Sequence, residues 1–381
     1  MSTYVLRFPS RQARLWISAS ILTFTSAAFA DYKGIDLYSL PSPPGFTSIS
    51  DAGSFHFVSA TQMVGAGTVA SGNANALVWS NGAPTAINLN PPGFADSYAI
   101  GTDGLHQVGY GMVDNSNHAL LWSGTAASAV DLHPTNLGGF AESIAMAVNM
   151  RQQVGYGTAP VTGVAHALLW HGTASSAVDL NPSGFYESYA EGASGNQQIG
   201  YGGKLGDYYH ALLWTGDAST VIDLHPSGFT NSYAFGTDGY QQVGTGLTPD
   251  AASHALMWTG TAASVVDLQP TNLSGFEDST AYDTNGLVQV GFGRTGDDDH
   301  ALLWHGSADS TVDLQNLLPQ SLIESRAYFV DSSGNVFGTA VEPTTGVMHA
   351  VEWIQVPESS ALAAVALAGV ALIRRRGRTF A

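Results

Sequence analysis

The 381-residue sequence contains no cysteine, so no disulfide can staple it and its stability has to come from packing alone. Charge is scarce as well, at 11% of residues. What charge there is carries one sign. Between residues 31 and 357 stand 29 acidic side chains against five basic ones (Lys33, Arg151, Lys204, Arg294 and Arg326), a net charge of −24 with His neutral. Such a surface repels phosphate backbones and anionic headgroups, which excludes nucleic acid as a partner and leaves cations, neutral sugars or basic proteins. No apolar run approaches the ~20 residues that a membrane-spanning helix needs. Also missing are a Gly-x-Ser-x-Gly elbow, a His-Glu-x-x-His pair, a phosphate loop and a dinucleotide fingerprint, which removes the commonest enzyme signatures.

What is present is repetition. The stretch HALLWTG, His210 to Gly216, has six near-copies, and the seven end on Trp79, Trp122, Trp170, Trp214, Trp258, Trp304 and Trp353. Their spacings of 43, 48, 44, 44, 46 and 49 residues suit one four-stranded propeller blade per repeat. Abundant Gly (44 residues), with Val, Ile, Tyr, Trp and Thr between the glycines, favours an all-β chain with many turns. Asp103-Gly104, Asp238-Gly239 and Asn285-Gly286 mark hairpin turns. ALLW offers no polar residue to either face, so both faces of that strand need cover, as between stacked blades. Trp fills the widening gap there. The small residue of each Ser-x-Ala strand (Ala99, Ala145, Ala190, Ala234, Ala281, Ala327) suits the crowded position next to a central channel.

A count argues for ring closure. Strands of the Val-Asp-Leu type centre on Asp36, Asn88, Asp131, Asp179, Asp223, Asp267 and Asp313, seven in all, like the Trp strands. They are out of phase: Ile35-Asp36-Leu37 has no Trp strand before it, and Trp353 has no Val-Asp-Leu after it. The expected fold is therefore a seven-bladed β-propeller, residues 31–355, whose N-terminal strand (Ile35 to Leu37) completes the last blade and removes the exposed edges.

The two ends read differently. Residues 1–30 carry Arg7, Arg11 and Arg14, an apolar run from Leu15 to Phe24, and Ala28-Phe29-Ala30 before Asp31, the layout of a cleaved secretory signal peptide and thus a substrate for signal peptidase. Residues 356–381 place thirteen residues, Ala361 to Ile373, before Arg374, Arg375, Arg376 and Arg378. That span is short for a permanent anchor, and the arginines hold its end on the cytoplasmic side. With Pro357-Glu358 in front, the tail resembles the PEP-CTERM sorting signal of Gram-negative bacteria, although Ser359 stands where the second proline would be. The resemblance implies processing by an exosortase, membrane contact that is transient or mediated by the tail, and a location outside the cell or on its outer surface.

His-Ala-Leu-Leu-Trp, Val-Asp-Leu, Thr135-Asn136-Leu137-Gly138-Gly139, Ser143-x-Ala145 and Gln153-Val154-Gly155-Tyr156 follow one another in an order that resembles the HAF extracellular repeat, with Leu in place of Phe in most copies. The resemblance spans residues 31–355 and implies an extracellular repeat protein; it implies no particular activity.

Candidate chemistry falls into three groups. His118, His166, His210, His254, His300 and His349 hold one repeat position, so they are spread round a ring and read as structural. Asp96, Glu142, Glu187, Asp278 and Glu324 each precede the Ser of Ser-x-Ala, with Asn231 at the equivalent place; if these positions face one channel mouth, they form an acidic ring that raises pKa values and draws cations. Asp297, Asp298 and Asp299, beside Arg294, form an acidic loop, and Asp114-Asn115 offers similar oxygens. Calcium is the one cofactor these would suit, without the spacing of a known calcium loop. The expected function is a monomeric, non-enzymatic, exported binding or structural module for extracellular polysaccharide or protein. The alternative is a propeller hydrolase or lyase acting on extracellular polysaccharide, which requires at least two unique, mutually close carboxylates, or a carboxylate–His pair, in a deep pocket.

Overall fold

A computed structural model describes residues 31–39, 46–49, 56–59, 61–80, 85–206, 208–296 and 298–356. The expected leader, the tail from Pro357 onward and Asp297 lie outside the described residues. Strands between Asp31 and Val356 form seven antiparallel sheets. Numbering the blades by their tryptophans, Trp79 for the first to Trp353 for the seventh, blades 2 to 6 are simple four-stranded meanders. In blade 4 the strands run Glu187–Ser194, Gln197–Gly203, Tyr209–Trp214 and Ile222–Asp223. The first strand of each blade touches that of the next all the way round, so these strands line the axis.

Each seam between blades is one hydrophobic cluster built on one tryptophan. Trp214 lies against Val154, Ala167, Leu169 and Leu180 of blade 3; Trp258 meets the equivalent residues of blade 4, and Trp122 those of blade 1. All seven repeat tryptophans are buried. The apolar third strand thus covers its two faces with two different neighbours, which is why it carries no polar alternation.

The polar residues of the repeat tie the same seams. Ser97, Ser143, Ser188, Ser232, Ser279 and Ser325 are buried, and each Oγ accepts the N–H of the third-strand alanine of the preceding blade (Ala76, Ala119, Ala167, Ala211, Ala255, Ala301) at 2.9–3.0 Å. His118, His166, His210, His254 and His300 bond through Nδ1 to the outer-strand Asp131, Asp179, Asp223, Asp267 and Asp313 at 2.8–2.9 Å. Each of those aspartates accepts, with its other oxygen, the amide two residues further on, which fixes the turn into the next blade. The histidines therefore lie spread round the ring.

Closure follows the out-of-phase count. Asp31–Ser39, containing Ile35 to Leu37, is the outer strand of blade 7 and pairs with Met348–Val356, the strand that carries Trp353. His349 Nδ1 lies 3.0 Å from Asp36 Oδ1, so the bond made within every other histidine blade here joins the two ends of the propeller. The latch is tight: a Cβ on Gly34 would sit 2.5 Å from the Leu317 carbonyl oxygen. Blade 1 departs from the repeat. Its second strand, Gln62–Val69, pairs at the axis with two short pieces, Phe46–Ile49 and His56–Ser59, in place of one Ser-x-Ala strand.

The recurrent Gln-Val-Gly of the second strand has a steric cause. A bulge follows the alanine of the first strand, between Ala190 and Gly192 in blade 4. It turns a carbonyl toward the second strand, and a Cβ on Gly200 would come within 2.0 Å of Tyr189 O.

Candidate functional site

The first strands all run in one direction along the axis, so the ring has two unlike ends. One end holds the starts of the first strands and the variable loops between second and third strands; it is called the loop face below. The other holds the turns between first and second strands and is called the hairpin face.

On the loop face, the five predicted acidic residues do not act as one group. Asp96 Oδ1 accepts the Ala74 N–H at 2.7 Å, and Asp278 Oδ1 accepts the Ser253 N–H at 2.7 Å, each capping the third strand of the blade before. Asn231 does the same for Tyr209 at 2.9 Å, which explains why an amide can stand in the series. Glu187 instead accepts from the hydroxyls of Tyr209 (2.6 Å) and Tyr189 (3.2 Å). Glu142 is partly exposed and Glu324 exposed, the latter with a left-handed φ of 49°.

Around Glu187 the sequence gathers tyrosines at strand positions that elsewhere hold residues as different as Ile144, Thr245, Thr280 and Phe292, with a further stacked pair, Tyr98 and Tyr110, in blade 2. Tyr156 meets Tyr189 edge-on at 5.0 Å between ring centres, Tyr189 stacks on Tyr201 at 5.0 Å, and Tyr201 meets Tyr233 edge-on at 4.9 Å. Tyr209 completes the set at 5.6 Å from Tyr201. All five rings are partly exposed. The carboxylate bond to Glu187, then burial, pushes the Tyr209 hydroxyl up to about 12, and burial with the Glu191 charge pushes Tyr201 up as well. Their hydroxyls therefore remain protonated donors at neutral pH.

Of the acidic loop, Asp298 is exposed and Asp299 is buried. Asp299 accepts from Arg326 Nε at 2.8 Å, and its second oxygen lies 3.3 Å from Arg294 Nε, so both oxygens are already paired with cations. Arg326 also lies over the Phe292 ring at 4.6 Å. Asp114 and Asn115 form a two-residue turn between paired Val113 and Ser116, both with positive φ (51° and 62°), which accounts for their residue types as turn chemistry. Among the described residues no three His, Cys, Asp or Glu side chains gather as metal ligands.

Toward the hairpin face the channel opens into a cavity of about 350 Å³, lined by the ends of the first strands of blades 2 to 7. None of the five predicted carboxylates lines it; Glu191 and Asp283 do. Both are partly open to the lumen, yet protein encircles them, and this desolvation pushes each carboxyl up to about 7. Asp283 Oδ2 accepts the Val330 N–H at 3.0 Å, which pulls the other way without prevailing, and the nearby Asp238 charge adds to the rise. Aromatic walls come from Phe235, Tyr282, Tyr328 and Phe329.

The sequence did hold a signal for these two residues, in the departures from the repeat. The bulge position after each Ser-x-Ala reads Ile100, Met146, Glu191, Phe235, Tyr282 and Tyr328, and only one of these is charged. The next position is Gly or Ala in blades 2 to 5, where a Cβ on Gly236 would meet Tyr282 O at 2.3 Å, but Asp283 in blade 6.

No protein-family model and no curated protein matches the sequence. Solved structures do match the fold. The propeller domain of the trilobed protease of Pyrococcus furiosus, described as having an open velcro topology, shares 11% identity over 81% of this chain and 95% of its own, with a TM-score of 0.53. An oligogalacturonate lyase from Vibrio parahaemolyticus shares 11% over 87% of this chain and 98% of its own, with a TM-score of 0.51. A puromycin hydrolase in complex with a ligand shares 10% over 82% of this chain, with a TM-score of 0.52, and this chain spans only 56% of it. At such identities the likeness carries the fold and none of the chemistry: the described chain is a seven-bladed β-propeller, closed here by its own N-terminal strand.

Proposed function

We propose that this propeller is a non-enzymatic binding module, exported and held at the outer surface or in the matrix of a Gram-negative cell, whose loop face takes a neutral or weakly basic polysaccharide. The tyrosine group of blades 3 to 5 carries the reading. Tyr156, Tyr189, Tyr201, Tyr209 and Tyr233 offer adjacent, partly exposed ring faces of the kind on which sugar rings stack, and Glu187, anchored by two of their hydroxyls, supplies an acceptor for sugar hydroxyls. The strong negative charge favours neutral or basic polymers over uronates. The resemblance of the repeat to HAF repeats and of the tail to PEP-CTERM signals supports the location.

A glycan array probed with the whole chain tests this. Binding of a neutral or amino-sugar polymer, weakened about tenfold or more by Tyr209→Ala and by Tyr201→Ala, is expected. Unchanged binding in both variants overturns the site.

One observation favours a second reading. Glu191 and Asp283 line one cavity with carboxyl groups near neutrality, the condition under which one acid and one base coexist, so a hydrolase or lyase acting on extracellular polysaccharide would use that pair. The lyase fold match indicates only that a ring of this kind can host such chemistry. Turnover of a polymer that is abolished by Glu191→Gln would replace the first reading with this one.

A further inference from the structure

We infer that the hairpin-face mouth of the channel is a receptor for a lysine or arginine side chain presented by a polypeptide, whose flanking apolar residues rest on the rim of the mouth. The proposal does not rest on the glycan reading of the loop face.

The well of the receptor is acidic. Glu191 and Asp283 line it, Asp103 stands at its edge, and Asp238 adjoins Asp283. No Lys or Arg is among the lining residues. Arg326, which also approaches Tyr282, is committed to Asp299. Asp283 has the amide of Val330 as a partner, and Asp103 has His106 and two turn amides. Among the described residues Glu191 accepts no hydrogen bond and has no cation beside it; protein surrounds it, and its neighbours are Tyr156 and Tyr201. An unpaired carboxyl ringed by protein is a costly arrangement unless something enters to meet it. Aromatic walls at Phe235, Tyr282, Tyr328 and Phe329 suit the same occupant, since a cation is favoured over ring faces and its methylene stem beside them.

The rim is apolar, and it repeats. Leu105, Met150, Tyr240 and Leu287 are the tips of the hairpins of blades 2, 3, 5 and 6, and they are 61%, 67%, 71% and 79% exposed. Three of these tips are held by the same device, in which Asp103, Asp238 or Asn285 accepts the amide of the tip residue at 2.8–3.0 Å. Met150 also lines the cavity, so rim and well are continuous. Exposed large apolar residues scattered singly need no explanation, but four round one mouth, three of them (Leu105, Tyr240 and Leu287) at the same repeat position, form a contact surface. Arg151, beside Met150, is the one Lys or Arg of these turns among the described residues; it is exposed and screened by solvent.

Two features choose the occupant. A volume of about 350 Å³ is at the small end for ligand sites, roughly 300–1,000 Å³, and suits one long side chain. An apolar rim round an acidic well is complementary to a basic residue with hydrophobic neighbours, and not to a free amino sugar, which would leave the rim uncovered. Charge on an entering ammonium also favours ionised carboxylates, so binding near neutrality expels protons from Glu191 and Asp283.

The test is calorimetry on the whole chain near pH 7, with the peptide Ac-Ala-Leu-Lys-Leu-Ala-NH2 and its Nε-acetyl-lysine counterpart as probes. Saturable binding of one peptide per chain, about tenfold or more weaker on acetylation and on Glu191→Gln or Asp283→Asn, is expected, with proton release that shows as a buffer-dependent heat. The surface variants Met150→Ser and Leu287→Ser, which leave the core untouched, weaken binding by about threefold each. Asp250→Asn, in an exposed loop between the second and third strands of blade 5, leaves it unchanged, and thermal melts of every variant report its folding. Equal binding of the acetylated peptide, absence of saturable binding, or full affinity in the Glu191→Gln/Asp283→Asn double variant overturns the proposal. Chitosan oligomers bound as tightly as the peptide would overturn the polypeptide occupant.

Discussion

Around the seams, one side chain recurs at one place in every blade, whereas around the axis neighbouring blades disagree. Seven tryptophans fill seven equivalent clusters, and six buried serines make the same inter-blade bond. One layer inward, the bulge residue changes from Ile100 to Met146 to Glu191 to Phe235 to Tyr282 to Tyr328. A seam has one neighbour geometry, repeated by the ring, so one solution serves all blades. The lumen is shared by all blades at once, and identical side chains there would repeat a charge or a bulk round a narrow space. Repeats therefore mark what holds the ring together, and departures from the repeat mark where it meets something else.

The comparison can be broken most forcefully at a seam. Trp214→Ala empties the cluster between blades 3 and 4 and should cost about 3–5 kcal/mol in denaturant unfolding. A loss under about 1 kcal/mol would mean that the seams are not what hold the ring. Next comes the polar tie: Ser188→Ala strands the Ala167 N–H and should cost about 1–3 kcal/mol, measured the same way.

In the lumen the sign reverses. Burial raises the Glu191 carboxyl from its usual range to about 7, so the folded state holds a proton that the unfolded state has lost between about pH 4.5 and 7. Stability from this group is present below pH 4.5 and is lost as pH rises through 7. Glu191→Gln should thus stabilise the chain by about 1–3 kcal/mol near pH 8.5, allowing for water in the lumen, and leave it unchanged near pH 4. Stabilisation equal at both pH values would show that the charge is not the cause.

The smallest effect belongs to the repeat histidines. The bond from Asp313 raises the His300 pKa, against burial and with help from the Asp313, Asp298 and Asp299 charges. A raised folded pKa contributes fully below about pH 6.5 and is lost as pH climbs past it, so His300→Gln should cost about 0.5–1 kcal/mol more near pH 6 than near pH 9. Thermal melts at the two pH values check it.

The ring was legible because its cause is local and periodic. A strand such as Ala211 to Trp214, apolar on both faces, needs two neighbours, and a Val-Asp-Leu strand without its Trp strand needs a partner from the far end, as Asp36 finds in His349. The turn chemistry of Asp238-Gly239 was equally plain, and Gly239 has the positive φ of 95° that it required. The acidic position before Ser-x-Ala was visible as a series, but where its side chains go was not. Asp96 and Asp278 point their oxygens at amides of the preceding blade, a contact that depends on how two sheets meet. Glu191 and Asp283 were overlooked because each occurs once.

The sequence by itself determined the number of blades, the side chains that fill the seams and the strand that closes the ring, since these follow from hydrophobic pattern and count. Only the tertiary structure decided which carboxylates share a cavity, because residues 191 and 283 stand two blades apart and become neighbours of one lumen only when the ring is shut. Desolvation there depends on atoms contributed by blades 2 to 7 together, and no stretch of sequence holds that information.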